Sequence, residues 1–389
     1  MSSAAQHALA SYRDPKRYGW WLSLLLPLVV WAGPLIYLRT GRAGPIWLPL
    51  LFYYVIVPFL DWVMGRDSSN PSTDVAALLE QDLYYRAITW LIVPCMYVSW
   101  VFLVWFGATH PLPWWAYIPL IMGTGSIGGF CINVAHEMGH RSEHIERWLT
   151  KLTLAPSCYG HFTIDHNRGH HREVSTFEDH ASARMGESIY EFALRELPGA
   201  FTRSWELEKE YLARKGRNTW SLHNEILQTL LITGALWTGM TVWLGWKGLL
   251  LILASSFWAN FQLTSANYIE HYGLARKKLA NGKYEPCEPC HSWNSDFKLS
   301  NYALLHLQRH SDHHAWPTRP YQVLRHFDNV PEMPNGYFGM FVLSYYPILW
   351  FWIMNRELVN AVDGDPERVN FCPRKREKLL KKYFTSSSV

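Results

Sequence analysis

Asp165-His166-Asn167-Arg168-Gly169-His170-His171 places three histidines at a spacing typical of metal ligands. Residues four apart share a face of an α-helix, so we expect His166 and His170 to point the same way. His171 then projects from the neighbouring face and can reach a second metal. The stretch predicts that the chain is folded around a metal centre.

Three other segments carry histidines of the same kind. They are His136-Glu137-Met138-Gly139-His140, Asn267-Tyr268-Ile269-Glu270-His271-Tyr272-Gly273 and His310-Ser311-Asp312-His313-His314. A lone histidine is usually a core or surface residue, but several metal-spaced clusters in one chain favour a binuclear site. The predicted ligands are His136, His140, His166, His170, His171, His271, His310, His313 and His314.

The composition is that of a membrane protein with large polar blocks. Of 389 residues, 49% are hydrophobic, 21 are Trp and only 17% are charged. The net charge of +4 is mild and no basic stripe interleaves with aromatics, so we expect no nucleic-acid partner. The six cysteines are scattered and form no disulfide framework.

Six apolar runs are near the ~20 residues that a bilayer-spanning helix needs. They are approximately 20–38, 46–64, 88–106, 113–134, 226–243 and 248–266. We therefore predict an all-α fold, a six-transmembrane-helix bundle capped by a helical cytoplasmic domain that holds the metal site. With a cytoplasmic N-terminus, helices two, four and six end on the cytoplasmic side, which brings every candidate ligand to one membrane face.

This topology divides the chain into five parts. They are a cytoplasmic segment 1–19, transmembrane helices one to four in 20–135, a helical block 136–225, helices five and six in 226–270, and a C-terminal block 271–389. In the last block, Tyr337 to Met354 is predicted to be a membrane-surface helix rather than a seventh span. Gly125 and Gly129 form a G-x-x-x-G spacing that lets helices approach closely, the alternative being a flexible stretch.

The number of histidines discriminates among metal chemistries. His136-Glu137-x-x-His140 alone fits a zinc protease with Glu137 as base, but that leaves seven clustered histidines unused. A di-iron site uses all nine and leaves positions for O2. Soluble di-iron bundles rely on Glu-x-x-His ligation, whereas histidine ligation on a membrane frame is typical of membrane histidine-box oxygenases and desaturases.

The clusters resemble those of the bacterial integral-membrane alkane 1-monooxygenases, the non-haem di-iron ω-hydroxylases. The matching segments are 136–141, 166–171, 267–273, 307–314 with Pro317-Thr318-Arg319, 184–190 and 291–294. The segment 267–273 is the most specific, because desaturases share the three-box plan but not this fourth element.

The resemblance implies a function. The nine histidines would hold two non-haem iron ions, with no catalytic residue beyond these ligands. The reaction would be terminal hydroxylation of medium- to long-chain n-alkanes to 1-alkanols with O2. Electrons would come from rubredoxin, reduced by its reductase and NADH. Rubredoxin needs two Cys-x-x-Cys pairs and this chain has one, so we expect a separate donor protein.

The resemblance also places the enzyme in the bacterial inner membrane, with its active-site domain in the cytoplasm. The alternative function is a histidine-box fatty-acyl desaturase or an aromatic-methyl hydroxylase. A metal transporter or receptor is a different class, and its histidines would line a path across the membrane rather than gather at one face.

Four acids and three aromatics complete the predicted site. Glu137, Asp165, Glu270 and Asp312 each adjoin a candidate ligand and are predicted to orient the imidazoles, the alternative for each being a surface acid. Tyr53, Tyr54 and Trp62 are predicted walls or stops of an apolar substrate channel, although aromatics at such positions are more often packing residues.

Two further features have simpler explanations. His180 is close to a cluster in sequence, and we expect a bystander rather than a tenth ligand. Cys287-Glu288-Pro289-Cys290-His291 matches a c-type haem attachment site, but it should be cytoplasmic, where such attachment does not occur. A role of these thiols in rubredoxin docking or electron entry is a weaker hypothesis.

Overall fold

The computed structural model describes residues 12–385, and within them the chain is helical, with isolated β-bridges and no strand. The α-helices are α1 (Trp21–Val29), α2 (Ala32–Thr40), α3 (Leu48–Leu51), α4 (Val57–Met64), α5 (Thr73–Gln81), α6 (Leu83–Thr109), α7 (Trp114–Gly139), α8 (His144–Leu154), α9 (Phe162–Asp165), α10 (His171–Glu173), α11 (Ile189–Arg214), α12 (Glu225–His271), α13 (Lys298–Ala303), α14 (His310–Ala315), α15 (Tyr337–Ser344), α16 (Pro347–Ala361) and α17 (Arg376–Tyr383).

Shorter turns join these helices. Two turns are π-helical, Phe52–Ile56 and His166–His170. The 3₁₀ turns are Gly44–Trp47, Ala155–Ser157, Pro289–His291, Tyr321–Val323, Pro366–Arg368 and Pro373–Lys375.

Five helical segments in the described residues are long and apolar enough to cross a membrane. They are Trp21–Thr40, Gly44–Met64, Leu83–Thr109, Trp114–Gly139 and Glu225–His271. The first four agree with the predicted spans to within five residues at each end. The predicted fifth and sixth spans both lie in the last segment, one on each side of the non-helical residue Gly245.

Helix α12 folds back on itself at Gly245. This residue has φ +70° and ψ −167°, a backbone conformation that favours glycine. In a straight helix Trp237 and Ser256 would be about 28 Å apart. Here the side chains of both donate hydrogen bonds to the carbonyl oxygen of Pro156, at 3.2 and 3.0 Å. The two arms of α12 therefore lie side by side.

Helices α7 and α12 are in close contact along glycines. A Cβ atom on Gly125 would lie 2.5 Å from the carbonyl oxygen of Ser255, and one on Gly129 would lie 2.6 Å from Cβ of Gln262. The absence of a side chain allows this approach, so the G-x-x-x-G prediction is confirmed. The contact fixes the ends of α7 and α12 relative to each other.

The two polar blocks pack on each other beyond these ends. The backbone nitrogen of Gly273 donates to Ala183, that of Met185 donates to Asn370, and that of Arg276 donates to Ser175, at 2.7–2.9 Å. These bonds join the block after α7 to the block after α12. Together they enclose the segment that contains the first histidine stretch.

The apolar stretch Tyr337 to Met354 forms two helices rather than one. The chain bends between α15 and α16, and neither is among the candidate spans. Helix α15 is mostly buried, whereas α16 exposes Ile348, Leu349 and Trp352. The basic segment Arg376–Tyr383 forms helix α17, and the first part of the predicted N-terminal segment (1–11) and residues 386–389 lie outside the described residues.

Candidate metal centre

All nine predicted histidines converge at the ends of α7 and α12. They form two groups, and within each group one ligand nitrogen from every ring lies within 4.8 Å of all the others. The first group, here called the five-histidine group, contains His136, His140, His166, His171 and His313. The second, the four-histidine group, contains His170, His271, His310 and His314.

The segment His166–His170 divides its histidines in an unexpected way. The predicted pairing of His166 with His170 is wrong, because His166 belongs with His171 and His170 belongs to the other group. The reason is that this turn is π-helical, so residues five apart stack on one face. The Nε2 atoms of His166 and His171 are 2.9 Å apart.

The other histidines follow ordinary α-helical spacing. His136 and His140 are four apart at the end of α7, and His310 and His314 are four apart on α14. Each of these pairs stays within one group, while His313, on another face of α14, joins the five-histidine group. Helix α14 therefore links both groups.

The nitrogen atoms are spaced as ligands of a common ion would be. The Nε2 atoms of His136 and His313 are 2.9 Å apart, and those of His310 and His271 are 3.2 Å apart. Metal–nitrogen bonds of about 2.0–2.1 Å place adjacent ligands at right angles roughly 3 Å apart. Imidazole suits iron, zinc, copper and nickel, so the residues fit a metal in each group.

Unsatisfied nitrogens support the same conclusion. Buried polar atoms normally have hydrogen-bond partners. Yet Nε2 of His140 and Nε2 of His170 have none within the described part of the chain. Both atoms belong to rings of the two groups, and an ion in each group would give them a partner. The rings of His171, His271, His310 and His314 instead have Nε2 against other candidate ligands and Nδ1 without a partner among the described residues.

Burial keeps the imidazoles in the form that binds metals. Burial lowers the pKa of His140 to about 4. Burial, and then the neighbouring histidines, hold the pKa values of His171, His313 and His314 well below the usual range. These rings are therefore neutral at pH 7, as metal ligands must be.

The acid that contacts a candidate ligand most directly is Asp179, which the sequence did not single out. The Nδ1–H of His170 donates to its carboxylate at 2.9 Å, which leaves Nε2 free for a metal. Burial alone would raise the pKa of Asp179, but its interactions with His170, Arg203 and Ser182 outweigh burial and lower that pKa. The signal in the sequence is the acidic pair Glu178-Asp179 directly before His180.

Three of the four predicted acids contact arginines rather than candidate ligands. Glu137 pairs with Arg141 at 3.1 Å, and Asp312 accepts from Arg319 and from the backbone of Arg325. Asp165 accepts from Arg203 at 2.7 Å. Arg203 also donates to Asp179 at 3.1 Å, which connects Asp165 indirectly to His170.

Glu270, the fourth predicted acid, faces the candidate ligands. Its Oε2 lies 3.4 Å from Nε2 of His310, and its Oε1 has no hydrogen-bond partner among the described residues. His180 belongs to neither group, and its ring packs against Gly199.

An apolar cavity reaches both groups. His136 and His166 of the five-histidine group and His310 of the four-histidine group line one part of it. Leu26, Pro27, Tyr53, Tyr54, Phe338 and Phe341 are among the residues that line the rest. Trp62 is not among the lining residues, and 71% of its surface is exposed.

The cavity has a polar end at Tyr54. Its hydroxyl accepts a hydrogen bond from Gln262 at 2.6 Å and lies 3.4 Å from the hydroxyl of Ser126. Ser126 precedes His136 by ten residues on α7, which is about 15 Å along the helix axis. Tyr54 therefore marks the end of the cavity remote from the histidines.

The Cys287 and Cys290 thiols are free. Burial raises the pKa of Cys287 to about 11, so this thiol is protonated and weakly reactive at pH 7. The His291 ring is held by Glu285 and by the backbone of Glu288, at 3.0 and 2.9 Å. The suggested role of the thiols in electron entry stays a prediction.

Comparison with known proteins places the chain among membrane histidine-box enzymes. Residues 109–344 match the fatty acid desaturase family. The chain is 44% identical to alkane 1-monooxygenase 1 of Alcanivorax borkumensis over 97% of this chain and 93% of that protein. It is 44% identical to the alkane 1-monooxygenase of Ectopseudomonas oleovorans over 97% and 94%. The xylene/toluene monooxygenase hydroxylase component of Pseudomonas putida is 29% identical over 56% and 58%.

Proposed function

The chain belongs to the alkane 1-monooxygenase family, and we propose that it hydroxylates the terminal methyl group of medium- to long-chain n-alkanes to give 1-alkanols. The observation that carries this proposal is the apolar cavity that ends on both histidine groups. An alkane offers no hydrogen-bonding group, so its recognition rests on apolar burial and shape, which this cavity supplies.

The nine histidines would hold two non-haem iron ions, which would activate O2 for the reaction R–CH3 + O2 + 2 electrons + 2 protons → R–CH2OH + H2O. The protein's contribution is to keep the imidazoles neutral and to bring the end carbon to them. Internal C–H bonds are weaker than terminal ones, so terminal selectivity requires positioning. An alkane that lies lengthwise in the cavity between Tyr54 and His136 presents its terminal carbon to the histidine groups.

We assign the protein to the bacterial inner membrane with six spans. The two arms of α12, residues 225–244 and 246–271, are about 30 and 39 Å long, so each is long enough to cross a hydrocarbon core of about 30 Å. Arg13, Lys16 and Arg17 near the N-terminus favour a cytoplasmic start. Helix α7 and the second arm of α12 then both end in the cytoplasm. This topology divides the chain into the five parts predicted from its sequence.

Rubredoxin is the electron donor that we assign, with its reductase and NADH upstream. Family membership supports this partner. The histidine groups are enclosed by the polar blocks, so electrons would enter from the cytoplasmic side in this topology.

The proposed function is tested by turnover of octane with labelled O2. Iron-loaded protein would be reconstituted in lipid with rubredoxin, its reductase and NADH. We expect 1-octanol that carries one labelled oxygen atom and two iron ions per chain. An alkene without label would instead support the desaturase alternative. Because one relative acts on aromatic hydrocarbons by its name, xylene is the comparison substrate, and its preferred hydroxylation would support that alternative.

Trimming the remote end of the cavity is expected to change the chain-length limit. We expect the double variant Tyr53→Ala/Tyr54→Ala to raise turnover of alkanes just beyond the natural limit by at least ~10-fold, since one methylene in an apolar pocket is worth ~1–3 kcal/mol. The measurement is the rate for a series of n-alkanes of increasing length. Trp62→Ala is the control, because that side chain lies outside the cavity lining. An unchanged length profile in the double variant would show that neither tyrosine is the stop.

A further inference from the structure

A second and smaller cavity lies against the metal centre. It has room for about one water molecule. Its lining includes His166 from the five-histidine group and His170 from the four-histidine group. On its other sides lie Tyr159, His161, Asp165, Glu196 and Asn267, with Phe162, Ala181, Ala200 and Leu263. We call this space the Glu196 cavity.

Glu196 is buried without a positive partner. Only 1% of its surface is exposed, and its carboxyl accepts hydrogen bonds from Thr264 at 2.7 Å and Asn267 at 3.1 Å, both uncharged donors. Other buried carboxylates nearby are ion-paired: Asp165 and Asp179 with Arg203, Glu208 with Arg168. No described cation lies within ion-pair distance of Glu196.

A buried carboxylate without a counter-charge is costly, so such a group binds a proton. Burial raises the pKa of Glu196 to about 7, with the charge of Asp165 adding to the effect and the hydrogen bonds of Thr264 and Asn267 and the charge of Arg195 opposing it. Both the protonated and the ionised form of Glu196 are therefore accessible near neutral pH. This property is not needed for the helix contact between α11 and α12.

The cavity also contains an unsatisfied ring nitrogen that is not a predicted ligand. Nε2 of His161 is buried and has no hydrogen-bond partner within residues 12–385. His161 is 7% exposed and its ring packs between Tyr159 and Phe201. A water in this cavity would be within reach of a proton-holding carboxyl on one side and of both histidine groups on the other.

We propose that the Glu196 cavity delivers protons to the metal centre. The inference rests on the proposed function, whose reaction takes up two protons with the two electrons from the external donor. In each delivery the O–H bond of the Glu196 carboxyl breaks, and the proton moves through the cavity water towards the histidine groups. Glu196 then takes up another proton from solvent by way of His161. No atom of Glu196 is oxidised or reduced.

The test compares wild-type protein with Glu196→Gln, which keeps the shape and removes the proton. In the iron-loaded, lipid-reconstituted protein at mildly acidic pH, we expect an infrared band of a protonated carboxyl that shifts in D2O and is missing from the variant. We expect the variant to bind two iron ions and to form alkanol about 100-fold more slowly, the lower end of what general acid–base groups contribute. In the variant, electrons from the donor should reduce O2 to hydrogen peroxide instead of supporting alkanol formation, and the solvent isotope effect on alkanol formation should rise.

Two variants separate proton transfer from structural damage. Glu196→Asp retains a titratable group and should regain more than ~10-fold of the lost rate, a rescue that packing alone does not predict. Asp61→Asn is the matched control: Asp61 is also buried, accepts from Ser300 and lacks a cation, but it lines neither cavity. We expect the alkanol formed per electron consumed and the solvent isotope effect of Asp61→Asn to equal those of the wild type.

The outcomes are distinct. Wild-type protein that forms no alkanol contradicts the proposed function itself. The proton route is overturned if the wild type is active and Glu196→Gln forms as much alkanol per electron consumed, with the same solvent isotope effect. It is also overturned if the infrared band of the protonated carboxyl is still present in Glu196→Gln. If Glu196→Gln does not accumulate as folded protein, Thr264→Val replaces it. The loss of one hydrogen bond should then shift the carboxyl band, and an unshifted band would overturn the proposal.

Discussion

Replacing His271 by alanine is expected to remove one of the two iron ions that we propose and to abolish alkane hydroxylation. His271 belongs to the group with only four histidines, so its loss leaves three nitrogen ligands. Removing a partner that merely orients a ligand costs 10–100-fold in metal affinity, so removal of a ligand should cost more than about 100-fold. The measurement is iron per chain by elemental analysis, together with turnover of octane.

The unequal size of the groups sharpens this experiment. His140→Ala removes one of five histidines and leaves four, so we expect it to retain more iron than His271→Ala. His180→Ala is the control, because His180 is near a cluster in sequence but belongs to neither group. Full iron content in His271→Ala, or equal iron loss in His180→Ala, would contradict the division into two groups.

Asp179→Asn is expected to weaken iron binding at the four-histidine group by about 10–100-fold. The substitution removes the charge that holds the His170 ring with Nδ1 protonated and Nε2 free. It also removes one of the carboxylates that Arg203 contacts. The measurement is a titration of iron into metal-free protein, with one weakened and one unchanged binding event expected.

Asp296→Asn is a closely matched control for this effect. Asp296 is buried, pairs with Arg309 at 3.1 Å and contacts Nδ1 of His326 at 2.7 Å, as Asp179 does with Arg203 and His170. His326 belongs to neither histidine group, but with Asp296 and Glu332 it forms a separate set of close ligand atoms, so any metal bound there is counted apart. Both variants should lose stability, but only Asp179→Asn should lose iron affinity at the four-histidine group. Equal iron affinity in the two variants would show that Asp179 has a structural role alone.

The spacing of the histidines was enough to find the nine candidates, but not to divide them. Helical periodicity holds for His136 with His140 and for His310 with His314, because those pairs lie on α-helices. The helical period gave the wrong result for His166 and His170, because nothing in the local sequence indicates a π-helical turn. A pattern-based prediction uses the period of a regular helix and is wrong wherever the backbone departs from it.

Contacts between distant segments account for the other differences. Asp179 reaches His170 only because the loop after α10 returns to the π-turn, and Glu196 meets Thr264 and Asn267 only because α11 packs on α12. The hydrophobic runs located the spans well, since length and composition decide them. They did not show that the chain turns back at Gly245 through only one non-helical residue, or that Tyr53 and Tyr54 line the cavity whereas Trp62 does not.

The π-helical turn makes the metal centre depend on the conformation of the backbone as well as on the identity of the residues. Each residue of a regular α-helix turns the chain by about 100°. If the turn rewound into a regular α-helix, five residues would turn the chain by about 500°, and His171 would lie about 140° around the axis from His166. His170 would then share a face with His166, and the two groups would be lost although no imidazole was replaced. Substitutions that favour a regular helix in this turn are therefore expected to damage the site, even at positions such as Asn167 where the side chain is exposed.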